Sequence, residues 1–140
     1  IAHLFILAFF MNFFWEISQM GFYSSLSMGD TSNYWHFLNV HWYAAAVDAM
    51  MVVILYLITG AIFKNFNWVK NQVKNNFWTI AALGAVWAIL IEYHSVYVAG
   101  RWGYAALMPL LPILKVGLWP VLQMTLLPGL AVYLSKDQLK

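Results

Sequence analysis

The chain contains no cysteine. That excludes a disulfide framework, a thiolate metal site and thiol redox chemistry, while leaving the compartment open. Charge is scarce as well: seven Lys/Arg and five Asp/Glu among 140 residues, 9% of the chain. A soluble domain of this length needs a charged surface to stay dispersed, and so few ionic side chains cannot supply one. The net charge of +2 is too small for a nucleic-acid surface, so no nucleic-acid partner is expected. What fills the chain instead is apolar: 64% of residues are hydrophobic and the mean hydropathy is +0.71. This is the composition of an integral membrane protein.

Four windows of about twenty residues are apolar enough to cross a bilayer as helices: His3 to Ser24, Trp42 to Phe63, Phe77 to Ala99 and Ile113 to Leu134. The runs are continuous and not alternating, which favours helices over barrel strands. The expected fold is therefore all-α, a single transmembrane four-helix domain over residues 1–140. Ile1 stands where a Met would begin a chain, which implies a preceding segment. The first window is expected to remain a helix and not a cleaved signal, because Asn12 and Glu16 interrupt its apolar run and no basic stretch precedes it.

The connections differ in character. Ser25 to His41 reads as a polar loop ending in an aromatic cluster, Tyr34, Trp35 and Trp42, suited to a membrane interface. Lys64 to Asn76 carries Lys64, Lys70 and Lys74. Gly100 to Pro112 opens with Gly-Arg-Trp-Gly-Tyr and then turns apolar, which predicts a short helix or re-entrant piece lying at the interface before the last helix. With four spans, Lys64, Lys70, Lys74, Lys136 and Lys140 share one side, against Arg101 and Lys115 on the other. The positive-inside rule makes the lysine side cytoplasmic, giving a multi-pass protein of the cell membrane with both termini inside.

Three of the five acidic residues, Glu16, Asp48 and Glu92, lie inside separate spans. A carboxylate at that depth costs about 2.5 kcal/mol or more, so it is normally kept for a partner, a pathway or a reaction. At about 1.5 Å per residue, all three fall in the outer half of the bilayer. Residues three or four apart share a helix face, and each span has one polar or small-residue stripe: Asn12, Glu16, Gln19 and Tyr23; Ala44 and Asp48; Gly84, Ala88, Glu92 and Ser95; Lys115, Trp119 and Gln123. Four such stripes can meet at the axis of one bundle. Glu16, Asp48 and Glu92 are the candidate catalytic acid/base groups, and Asn12, Arg101, Trp102, Tyr104, Lys115 and Gln123 the candidate ligand-binding residues. Arg101 and Lys115 are the cations expected to answer the carboxylates, either as a structural ion-pair network or as one wall of a pocket.

No histidine pair has metal-ligand spacing, and His94, two residues from Glu92, points to another helix face. His36 and His41 read as ordinary interfacial residues, so neither a metal nor a cofactor is expected. Pro120 and Pro128 both fall within the fourth window, where each is expected to free a carbonyl or kink the helix. A kink at Pro120 would widen the bundle near Gln123.

The pattern Asn12-x-x-Trp15-Glu16, Asp48, Glu92, Gly100-Arg101-Trp102-x-Tyr104, Met108-Pro109, Pro112, Gly117-Leu118, Pro120, Gln123 and Pro128 resembles a group of small bacterial four-helix integral membrane proteins over nearly the whole chain. One position departs from it: Val47 stands where that pattern has a glycine before the aspartate. The resemblance implies the architecture and the set of polar residues, and no reaction.

Two functions follow as expectations. The first is a membrane protein that binds or modifies an amphipathic, lipid-like molecule in a polar pocket, by carboxylate acid/base chemistry. The second is an accessory subunit of a larger membrane complex, with other membrane subunits as partners. A proton-coupled transporter is disfavoured, since four spans are few and the halves show no internal repeat.

Overall fold

The computed structural model describes residues 1–24, 34–70 and 74–139, leaving aside the side chains at 34, 36 and 37. Residues 25–33 of the expected polar loop, the side chains of Tyr34 and His36, and the terminal Lys140 lie outside the described residues. Among the described residues there are four α-helices: α1 (Ala2–Gln19), closed by a 3-10 turn at Met20–Phe22, α2 (Tyr34–Ile62), α3 (Lys74–Tyr93), continued by a π-turn at His94–Val98, and α4 (Leu118–Leu134). Three of these helical stretches, Ala2–Phe22, Leu38–Ile62 and Lys74–Val98, are long and apolar enough to cross a membrane. The fourth helix has 17 residues, about 25 Å, and falls short of the hydrocarbon thickness.

The helices form an up-down-up-down bundle. Helix α1 packs on α2 and α4, α3 packs on α4 and α2, and α2 also touches α4 across the centre. Antiparallel neighbours are evident from paired residues: His3 reaches Ser135 while Asn12 reaches Gln123, and Phe77 meets Tyr133 while Gly84 meets Met124.

Helices α1 and α3 bury the stripes that their periodicity marks out, whereas Ala44 and Asp48 of α2 are half-buried and Lys115 is exposed. On α1 the buried positions are Leu4, Ala8, Phe9, Asn12, Glu16 and Gln19. On α3 they are Asn76, Ile80, Gly84, Ala88 and Glu92, followed by Ser95. The small residues let α3 approach α4 closely, as small residues do between membrane helices. A Cβ on Gly84 would lie 1.8 Å from the Met124 carbonyl oxygen. That carbonyl is four residues before Pro128, which has no N–H to give it, so the proline inside α4 frees the acceptor against which Gly84 packs. A backbone Cα–H facing an otherwise unserved carbonyl is a weak but recurrent helix–helix contact.

Several boundaries differ from expectation. Helix α2 begins at Tyr34, so the aromatic cluster and His41 belong to a helix that runs beyond the apolar window, and not to a loop. Helix α4 begins at Leu118, five residues later than Ile113, because the chain before it closes a turn of its own. Leu111 N–H donates to the Val116 carbonyl (2.9 Å), Lys115 N–H to Leu111 (2.9 Å) and Leu118 N–H to Pro109 (2.8 Å). Pro120 consequently sits in the first turn of α4, where an N–H would have no helical partner, and it breaks no hydrogen bond there.

The segment between α3 and α4 is an arm, not a helix. Gly100 turns it with φ +58°, a left-handed conformation that glycine adopts without penalty. It then pairs with the end of α1 through an antiparallel bridge between Tyr23 and Tyr104, with Ser24 N–H donating to Gly103 (2.9 Å) and Ala105 N–H to Phe22 (2.8 Å).

Replacing Gly84 by Ala forces a methyl into the Met124 carbonyl. Gly84→Ala is expected to destabilise the bundle by about 1–3 kcal/mol, the usual cost of overpacking, read as a lowered thermal midpoint in detergent. A midpoint equal to wild type would show that α3 and α4 do not touch there.

Candidate functional site: a polar cavity between the helices

Polar side chains of all four helices converge near one end of the bundle, and a single glutamine amide joins those of three of them. From α4, Gln123 Nε2 donates toward Asn12 Oδ1 (2.9 Å), Glu16 Oε1 (3.1 Å) and Asp48 Oδ2 (2.9 Å). From α1, Gln19 Nε2 donates to Glu16 Oε1 (2.9 Å) and to Gln123 Oε1 (3.1 Å). Asn12 spends its own amide on the Ala8 carbonyl one turn back (2.8 Å), which fixes its oxygen toward Gln123. Glu16 and Asp48 thus share one donor, the Gln123 amide, which brings the carboxyls of α1 and α2 to the same point.

Glu92 has separate partners. Tyr104 O–H donates to its Oε2 at 2.6 Å, with longer contacts from Trp102 Nε1–H to the same oxygen and from Tyr23 O–H to Oε1, both 3.4 Å. The arm is thus a clasp on Glu92. Gly100 turns the chain back, Gly103 lets it run against Ser24, and Trp102 and Tyr104 deliver their donors between them. Burial, and next the Glu92 charge, push the Tyr23 phenol up. Burial, and next the hydrogen bond to Glu92, do the same to Tyr104. Both phenols therefore stay protonated through and beyond the neutral range and keep donating.

The carboxyl groups face one cavity of about 480 Å³, with Gln19, Tyr23, Arg101, Trp102 and Gln123 also on its wall. Its sides are made by Tyr43, Ala44 and Val47 of α2 and by Trp87, Ala88 and Ile91 of α3. A second space of about 800 Å³ runs along the α2–α3 seam toward the lysine-bearing end, lined only by apolar residues including Met50, Met51, Ile54, Leu83 and Leu90. Val47 and Trp87 line both, so the polar cavity and the apolar groove share a wall.

Eight of the nine expected site residues come together: Glu16, Asp48, Glu92, Asn12, Arg101, Trp102, Tyr104 and Gln123 line the cavity or hydrogen-bond to those that do. Lys115 does not. It lies in the turn before α4 with φ +55°, exposed, where its carbonyl accepts from Tyr97 O–H (2.7 Å). It therefore lies on no stripe with Trp119 and Gln123. Trp119 itself packs between Trp15 and Phe22, at centroid distances of 6.0 and 5.4 Å. The expected pair of cations answering the carboxyls is thus reduced to Arg101, at the exposed edge of the cavity.

His41 is the residue missed. It is not interfacial but fully buried. The signal was its spacing of seven from Asp48, which puts the two on one face of α2. His94 is exposed, as its offset from Glu92 implies. Among the described residues, no three His, Asp or Glu side chains are grouped so as to hold a metal ion.

The chain matches no family model, no curated protein and no solved structure.

Tyr104→Phe removes the shortest donor to Glu92. The expected loss is about 1.5–3 kcal/mol, the range for a hydrogen bond to a charged group, measured by chemical unfolding in detergent. A phenol whose folded pKa is raised contributes fully below its unfolded value and loses that contribution only as pH rises through the folded one. The loss should therefore be constant from about pH 6 to 9, below the ordinary tyrosine range. A loss that varies across that window would contradict the clasp.

Proposed function

We propose that this chain is a multi-pass membrane protein that binds, and acts by acid/base chemistry on, an amphipathic lipid-like molecule entering sideways between α2 and α3. The observation that carries this reading is the shared wall at Val47 and Trp87. A polar cavity side by side with an all-apolar groove suits a head group with a hydrocarbon chain, and pockets between bundle helices are common ligand sites. The groove from Val47 to Ile58 spans about 16 Å along α2, enough to hold a substantial length of chain.

The chemistry available to the head group follows from the two kinds of carboxyl. Glu16 and Asp48, brought together on the Gln123 amide, are two neighbouring carboxyls facing the cavity, which suits a general acid/base. Glu92, held by three donors, suits binding or charge stabilisation. The competing role of accessory subunit draws on exposed aromatics such as Trp35, Tyr43 and Trp78, but contact with lipid accounts for these equally well.

Lys64, Lys70, Lys74 and Lys136 lie toward the end of the bundle remote from Arg101. By the positive-inside rule that end is cytoplasmic, with both termini, and the cavity opens in the opposite leaflet. The cysteine-free chain suits a direct test: single cysteines at Asn67 and Lys115 should react with an impermeant thiol reagent from opposite sides of sealed vesicles. Labelling of both from one side would reverse the assignment.

Glu16→Gln, Asp48→Asn and Glu92→Gln keep shape while removing acid/base capacity. Each is expected to abolish turnover or weaken retention of co-purified lipid at least about tenfold, or about 1.4 kcal/mol, with helical content unchanged. Lys115→Gly, outside the cavity, should leave both intact. Undiminished lipid retention and turnover with all three carboxyls replaced would reject the function.

A further inference from the structure

The charge on the cavity wall singles out a class of head group. Three carboxyls face this space, while Arg101 is the one Lys or Arg side chain among the described residues that line it. Acidic side chains on this wall therefore outnumber the guanidinium three to one. Four of its donor side chains are already committed: both Gln123 and Gln19 amides point at side-chain oxygens, and Trp102 and Tyr104 point at Glu92. An anionic or purely hydrogen-bond-accepting head would meet mostly filled acceptors and no free donor amides.

A cation fits instead. Tyr43 and Trp87 stand on the α2 and α3 walls around the carboxyls, and aromatic faces attract ammonium groups, more strongly when water is excluded. Immediately beyond Trp87 the wall becomes apolar for the length of the groove.

Building on the lipid-binding reading above, we infer that the ligand is a long-chain amphipathic amine, its ammonium group among Glu16, Asp48 and Glu92 and its hydrocarbon chain in the α2–α3 groove. Its charge answers the acidic side chains of the wall, and its chain covers the apolar seam.

The test is competition for the purified full-length chain in detergent at neutral pH, with an equimolar mixture of hexadecylamine, hexadecanol and hexadecyl sulfate, read by native mass spectrometry. The amine adduct should exceed each of the others by at least about tenfold. Asp48→Asn should erase most of that preference while leaving the alcohol adduct unchanged. Where circular dichroism shows Asp48→Asn to be unfolded, Glu92→Gln takes its place with the same expectation. Alcohol or sulfate bound as well as the amine would overturn the head-group inference and leave the lipid pocket standing. An amine preference that survives the substitution would likewise overturn it, since the amine would then be held elsewhere. No adduct of any of the three chains would reject the pocket itself.

Discussion

The carboxamide of Gln123 is the interaction on which the rest of the site depends. It draws Asn12 and Glu16 of α1 and Asp48 of α2 onto α4, joining three helices through one side chain. Individual hydrogen bonds between membrane helices are worth only about 0.6 kcal/mol on average and at most about 1.7, whereas a carboxyl at mid-membrane depth costs about 2.5 kcal/mol or more. No single bond offsets that cost, so the carboxyls are tolerated only because several donors converge on them. Gln123 and Gln19 supply the donors for Glu16 and Asp48, and the arm supplies those for Glu92. The network both stabilises the bundle and fixes where its polar groups point.

A network that only held the helices together would have no need for empty space beside it. Here the helix pairs divide the work. The α3–α4 contact is tight, with Gly84 against the Met124 carbonyl that Pro128 leaves unserved. The α2–α3 seam is open, and both the polar cavity and the apolar groove lie along it. Close packing on one side and a gap on the other set the α4 wall bearing Gln123 against an open α2–α3 seam.

The polar site was legible in the sequence because its logic is local. A helix repeats every 3.6 residues, so Asn12, Glu16, Gln19 and Tyr23 had to share a face, and an acidic residue inside an apolar run had to turn inward. The small-residue face from Gly84 to Ser95 followed from the same rule. Lys115 and His41 were misplaced for the opposite reason: both sit where helix boundaries decide the outcome. Lys115 lies three residues before α4, where a hydrogen-bonded turn from Leu111 to Val116 replaces the expected helical start. His41 sits in a helix that begins at Tyr34, earlier than the apolar window, so its register with Asp48 was hidden by assigning it to a loop. The groove and the clasp on Glu92 had no sequence signal at all, since they arise from spacing between helices and from an arm that folds back through Gly100.

The interaction between Gln123 and Asp48 can be isolated by a double-mutant cycle, comparing Gln123→Met, Asp48→Leu and the double variant in reversible unfolding in mixed micelles. The convergence of these side chains predicts a coupling of about 1 kcal/mol, within the range of interhelical membrane hydrogen bonds. Effects that add to within about 0.3 kcal/mol, the behaviour of distant and independent sites, would mean that α2 and α4 do not share a polar centre, and the site built on that centre would not exist.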